Sequence, residues 1–166
     1  MIESKQKSFW LLYLVMGLVF ILSVIFNEYI DIAGVRPDIL LIILIFLATR
    51  EKKLIALCAA FFFGLIQDVV LPGDAEYWGL APLLKTLLIF SFLKIIPLIG
   101  KFRGFILHLT VFSGFLVYFV FYNLFYYSGF MDPFVIFYRY ALTETIYTFL
   151  IYLLLNMIFP SADQKR

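Results

Sequence analysis

Charge is scarce in this sequence, cysteine and histidine occur once each, and each shortage removes a class of protein. Asp, Glu, Lys and Arg make up 14% of the residues against 64% hydrophobic, and the mean hydropathy is +1.03. A soluble domain is about a quarter charged and about half apolar, so water is not the main solvent of this chain. A net charge of +2 is too small for a nucleic-acid surface, and no nucleic-acid partner is expected. The single Cys58 lies in an apolar run, which rules out a disulfide framework. His108 has no second histidine and no cysteine near it, so no metal site is expected. There is no Gly-rich phosphate loop, no His/Cys/carboxylate ligand spacing and no Ser-His-Asp set, and the loops are too short for a catalytic domain. The expectation is a protein that is not an enzyme and needs no cofactor.

What the sequence does contain is a series of apolar blocks. Phe9–Phe26 follows Lys5 and Lys7 and ends at Asn27-Glu28-Tyr29 without a small-x-small cleavage pattern. It exceeds the ~7–15 residues of a secretory h-region and reads as a retained first span. Tyr77–Gly100 is a second clear block. Phe105–Phe159 is too long for one crossing, and Ser128-Gly129-Phe130-Met131-Asp132-Pro133 breaks it in two.

Between them, apolar runs 39–49 and 54–66 flank Arg50-Glu51-Lys52-Lys53. Each is short against the ~20 residues needed to cross a ~30 Å core. A hairpin entering and leaving by one face would hold four charges at membrane depth, at about 2.5–3.5 kcal/mol or more each. Two short but full spans are expected instead, with a thinned bilayer or with loop 30–37 dipping into the protein. The fold predicted is an all-α six-transmembrane-helix bundle forming one integral membrane domain over 1–166, with helices near 9–26, 37–49, 54–71, 77–100, 105–127 and 134–159.

Loop charges orient this bundle. One set of ends carries Lys5, Lys7, Arg50, Lys52, Lys53, Lys101, Arg103, Lys165 and Arg166. The opposite loops carry only Arg36 among acidic Glu28, Asp31, Asp38, Asp74, Glu76 and Asp132. The positive-inside rule then places both termini in the cytoplasm.

Five ionisable residues fall within the spans: Asp68, Lys85, Lys94, Arg139 and Glu144. Lys94 is close enough to the cytoplasmic end to snorkel. The other four lie about 6–17 Å below the outer surface at ~1.5 Å rise per residue. Two acids and two bases at that depth predict a neutral intramembrane polar cluster, either orienting the helices or reading a ligand. Ala56, Ala60, Gly64 and Asp68 recur every four residues. This small-residue stripe suits close approach of another helix. Arg36-Pro37-Asp38 opens the second helix, with Pro37 as its first helical residue and Asp38 complementing the helix dipole. Tyr118, Tyr122 and Tyr126 read as an aromatic belt or as a stacking face for a partner.

Arg36-Pro37-Asp38-Ile39-Leu40-Leu41, followed by a short apolar helix ending near Arg50-Glu51, resembles the rod shape-determining MreD family. So does Ala60-Phe61-Phe62-Phe63-Gly64-Leu65-Ile66-Gln67-Asp68, similar to that family's Gly-Phe-x-x-Gly-Leu-x-x-Asp segment, with Ala60 in place of the first Gly. Gly79-Leu80 and Lys85-Thr86 stand where that family has Gly-Leu-x-x-x-x-Lys-Thr. By motif the resemblance covers roughly 36–90, and by length and hydropathy the rest.

The resemblance implies a multi-pass subunit of the bacterial inner membrane, without catalysis. Such proteins act with the bitopic MreC beside the actin-like filament MreB, and influence the polymerase RodA and its penicillin-binding transpeptidase. A fold similar to the six-helix S subunits of vitamin transporters is implied too, so a solute-binding subunit is the competing expectation. For the first reading, the transmembrane helix of MreC is expected against Arg36, Pro37, Asp38, Ala56, Ala60, Gly64 and Asp68. For the second, Asp68, Lys85, Arg139 and Glu144 would line an outer-half pocket. Lipid is a partner in either case, and a homodimer is left open.

Overall fold

The computed structural model describes residues 34–50, 53–70, 78–98, 103–127 and 129–158. The first expected span, Phe9–Phe26, lies outside them. Helix accounts for 89% of the described residues, with no strand among them. Helix α1 is Ile39–Arg50, α2 is Lys53–Val70, and α3 is Leu80–Ile95, continued by a 3-10 turn at Ile96–Leu98. Helix α4 is Arg103–Tyr126, and α5 is Pro133–Ile158, with a π-helical stretch at Ile136–Ala141. Leu80–Leu98, Gly104–Tyr126 and Pro133–Ile158 are each long and apolar enough to cross a membrane. That marks the chain as a membrane protein by length and composition.

Local chemistry sets the helix ends. At α1, Asp38 rather than Pro37 makes the start. The carboxylate Oδ1 accepts from Leu41 N–H at 2.8 Å, and the Asp38 carbonyl accepts the first helical bond from Ile42. That geometry defines an N-cap, so Pro37 lies one residue before the cap and is not the first helical residue. At α5, Asp132 is the cap, its side chain accepting from Phe134 N–H, with Pro133 in the first turn. The expected break at 128–133 is therefore also the start signal of the next helix. Gly129 turns the chain with φ of 87°, a conformation that costs a residue without Cβ little.

Helix α1 is the central stave of the bundle. Its sequence is apolar on every side, and a helix apolar all round must be covered all round. Leu41, Ile42 and Leu44 have no exposed surface. They share one core with Ala56 and Ala60 of α2, Ile89 and Phe92 of α3, Val111 and Phe115 of α4, and Ala141 and Tyr152 of α5. At ~1.5 Å per residue its 12 residues give a helix of about 18 Å, well short of a ~30 Å hydrocarbon core.

The stripe Ala56, Ala60, Gly64 and Asp68 does face another helix, but that helix is the chain's own α3. Ala56 and Ala60 are fully buried and Asp68 is 6% exposed. A Cβ added at Gly64 would lie 2.2 Å from Pro82 Cα and 2.8 Å from the Ala81 carbonyl carbon. Pro82 fits there because it occupies the first turn of α3, where a missing N–H leaves no helical bond unmade. This corrects the assignment of Ala56, Ala60 and Gly64 to a partner helix: α3 fills that groove.

Gly64→Ala forces α2 and α3 apart at their closest point. Overpacking of this kind costs about 1–3 kcal/mol or more, and we expect a corresponding loss of stability in detergent-micelle unfolding. An unchanged unfolding midpoint would contradict the close approach.

Candidate functional site

Asp38 stands where four helices meet. As the cap of α1 its carboxylate is held by Leu41 N–H. From α3, Lys85 Nζ lies 2.7 Å from Oδ2 and 2.9 Å from Oδ1. From α4, the Tyr118 hydroxyl donates to Oδ2 at 3.2 Å. The backbone N–H of Asp38 donates to Thr148 Oγ1 of α5 at 3.1 Å. Lys85 is fully buried and the Asp38 side chain is 9% exposed. Lys85 Nζ also lies 5.8 Å from the centre of the Tyr118 ring, within cation–π range. Thr148, without exposed surface, is about 22 Å along α5 from Pro133. The start of α1 is thus set inside the bundle, with Pro37 buried before it and Gly34 and Arg36 exposed.

Helix α2 joins through Asp68. Its Oδ2 accepts from Gly79 N–H at 2.7 Å, tying the end of α2 to the start of α3 across the intervening loop. Gly79 holds φ of 95° there, a left-handed conformation natural to glycine. Asp68 also contributes a second negative charge to the surroundings of Lys85.

The intramembrane cluster is therefore built differently from the expected set of Asp68, Lys85, Arg139 and Glu144. Lys85 is answered by Asp38, whose expected part was only to complement the dipole of the helix that follows it. Glu144 accepts from Asn123 Nδ2 of α4 at 2.7 Å. Asn123, 3% exposed, also donates to the Phe119 carbonyl. Arg139 stands apart and exposed, with its guanidinium 5.8 Å from the Tyr140 ring centre. The difference has a simple cause. Depth counted along each helix places Lys85 and Arg139 at similar levels but does not say that they face different sides.

Tyr118 corrects the belt reading. It is 3% exposed and bonded to Asp38, so it belongs to the interior. Its ring stacks on Tyr122 at 5.8 Å, and Tyr122 on Tyr126 at 6.4 Å. His108 meets the Tyr152 hydroxyl at 3.3 Å, and no group of three potential metal ligands occurs among the described residues. The sequence carries no local signal for the bonds of Tyr118 and Thr148. For Asn123 a signal existed: an amide amid the apolar residues of 105–127 needs a partner.

Of the residues expected to meet a partner, Pro37 and Gly64 are buried and Arg36 is exposed. Asp38, Ala56, Ala60 and Asp68 are taken up inside the chain. No protein-family model, curated protein or solved structure shows a significant match to this chain. The fold and site define a helical membrane protein whose buried charges join its helices.

Breaking the central pair should cost far more than trimming it. Lys85→Met leaves the Asp38 carboxylate without its counter-charge, a loss of about 3–5 kcal/mol for a buried pair. Tyr118→Phe removes one neutral donor, and interhelical hydrogen bonds in membranes average ~0.6 kcal/mol. Denaturant unfolding in mixed micelles should rank the two in that order. Equal effects would contradict the assigned roles.

Proposed function

We propose that the chain is a non-catalytic inner-membrane subunit of the bacterial cell-elongation complex. It spans the membrane six times with both termini in the cytoplasm, binds a bitopic MreC-type protein, and supports peptidoglycan synthesis and cell shape. One observation carries the reading. The residues on which the resemblance to the MreD family rests, dispersed over 36–90 in sequence, form joints between helices. Asp38 bonds Lys85, Asp68 bonds Gly79, and Gly64 receives Pro82. Motif residues spent on internal joints fit a scaffold that presents surfaces to partners. A solute-binding subunit would turn such groups towards a ligand, and their bonds to one another weigh against it.

Among the residues first expected at the partner contact, Arg36 is the one left exposed. It lies in the loop before α1, on the side assigned to the periplasm, where the base of a bitopic partner would stand. Co-expression with an MreC-type protein and affinity capture tests the proposal. The tagged chain should retain that partner. Arg36→Ala should reduce capture several-fold. Failure of the unmodified chain to capture the partner would overturn the reading.

A further inference from the structure

Two charges within the described spans face outward: Lys94, in the last turn of α3, and Arg139. Arg139 lies in the π-helical stretch of α5 and is exposed. Val135, Ile146, Leu150 and Leu154 of the same helix are exposed apolar neighbours along its length. Among the described residues no carboxylate forms an ion pair with it; its contact is the Tyr140 ring, 5.8 Å from the guanidinium carbon. A guanidinium on a lipid-facing helix is costly unless it reaches an anion.

Position and neighbours identify that anion. Arg139 lies about 9 Å along α5 from Pro133 at ~1.5 Å per residue, within the range over which a long basic side chain snorkels to the headgroups. The start of α5 is marked by the exposed Asp132 cap, a carboxylate that belongs on the water side. Phe130, Phe134 and Tyr138 are exposed at the same end, at 78%, 75% and 61%. Such rings occupy the headgroup level of a bilayer. Tyr140 is itself held against Tyr127 of the α4–α5 turn, with ring centres 4.6 Å apart, so the platform beneath the guanidinium is fixed from both sides of that turn. The π-helical backbone is supported here as well, since the Thr143 hydroxyl donates to the carbonyls of Arg139 and Tyr140.

We propose that Arg139, set on Tyr140 and flanked by Tyr138, binds the phosphate of an anionic phospholipid in the leaflet at the Pro133 end of α5. A planar guanidinium can engage two phosphate oxygens at once. A headgroup without its own cation leaves that attraction uncancelled. This site does not depend on the cell-elongation reading and would exist in either class of membrane subunit.

The full chain is placed in nanodiscs of three parts phosphatidylcholine to one part phosphatidylglycerol, and retained lipids are counted by native mass spectrometry. Phosphatidylglycerol should be enriched about fivefold over the bulk ratio, the factor equivalent to about 1 kcal/mol per basic side chain near a surface. Arg139→Gln should return the ratio to that of the bulk. Arg139→Lys, which keeps the charge and loses the two-point contact, should fall between. Excess soluble glycerol phosphate should not displace the lipid. Equal enrichment in all three proteins would overturn the proposal, as would absence of enrichment in the unmodified chain. Displacement by glycerol phosphate would overturn the lipid as the source.

Discussion

A carboxylate largely withdrawn from water has to be met by donors, and the arrangement of this bundle follows from how Asp38 is met. Its two oxygens and its backbone N–H are bonded by α1, α3, α4 and α5. None of those helices can rotate or slide far without uncovering a buried charge. Asp68 adds α2 by fixing the start of α3 through Gly79. In lipid the usual drive to bring apolar helices together is absent, because the hydrocarbon is as apolar as the side chains. Specific polar joints and close packing then have to determine which helix meets which.

Close packing is concentrated at Gly64, where the backbone of Pro82 occupies the space of a side chain. The two devices work at the same end of the α2–α3 pair. The glycine lets the helices approach, and one turn further on Asp68 ties them together. Between them they hold Lys85 in position to meet Asp38. Helix α1, short and covered on all sides, can begin inside the bundle only because its first turn is capped by a charge that its neighbours neutralise. A helix N-terminus carries partial positive charge, so the aspartate serves its own helix and Lys85 together.

The helices themselves are largely legible in the sequence, because long apolar runs and their breaks are local properties. The run expected near 54–71 is found at Lys53–Val70, and the one near 105–127 at Arg103–Tyr126. The site is less legible. Asp38 reads as a first-turn acid that complements the helix dipole; it is the cap instead, and neither role reveals that Lys85 shares the same carboxylate. The clue is the length of the 39–49 run, too short to cross alone, which leaves either a thinned bilayer or a start that lies inward. Tyr118, Tyr122 and Tyr126 have one spacing and two fates, since Tyr118 turns to Asp38 while the others stack behind it. Periodicity names a face of a helix but not what that face meets. The small-residue stripe shows the same limit: its close contact is found, and the helix in contact belongs to the same chain.

The central claim is that Asp38 and Lys85 act as one unit inside the bundle. A double-mutant cycle of Asp38→Asn and Lys85→Met, read by unfolding in mixed micelles, measures this directly. The account predicts a coupling of more than about 1 kcal/mol, with the double variant less destabilised than the sum of the two single ones. Effects that add to within about 0.5 kcal/mol, as for independent sites, would contradict it.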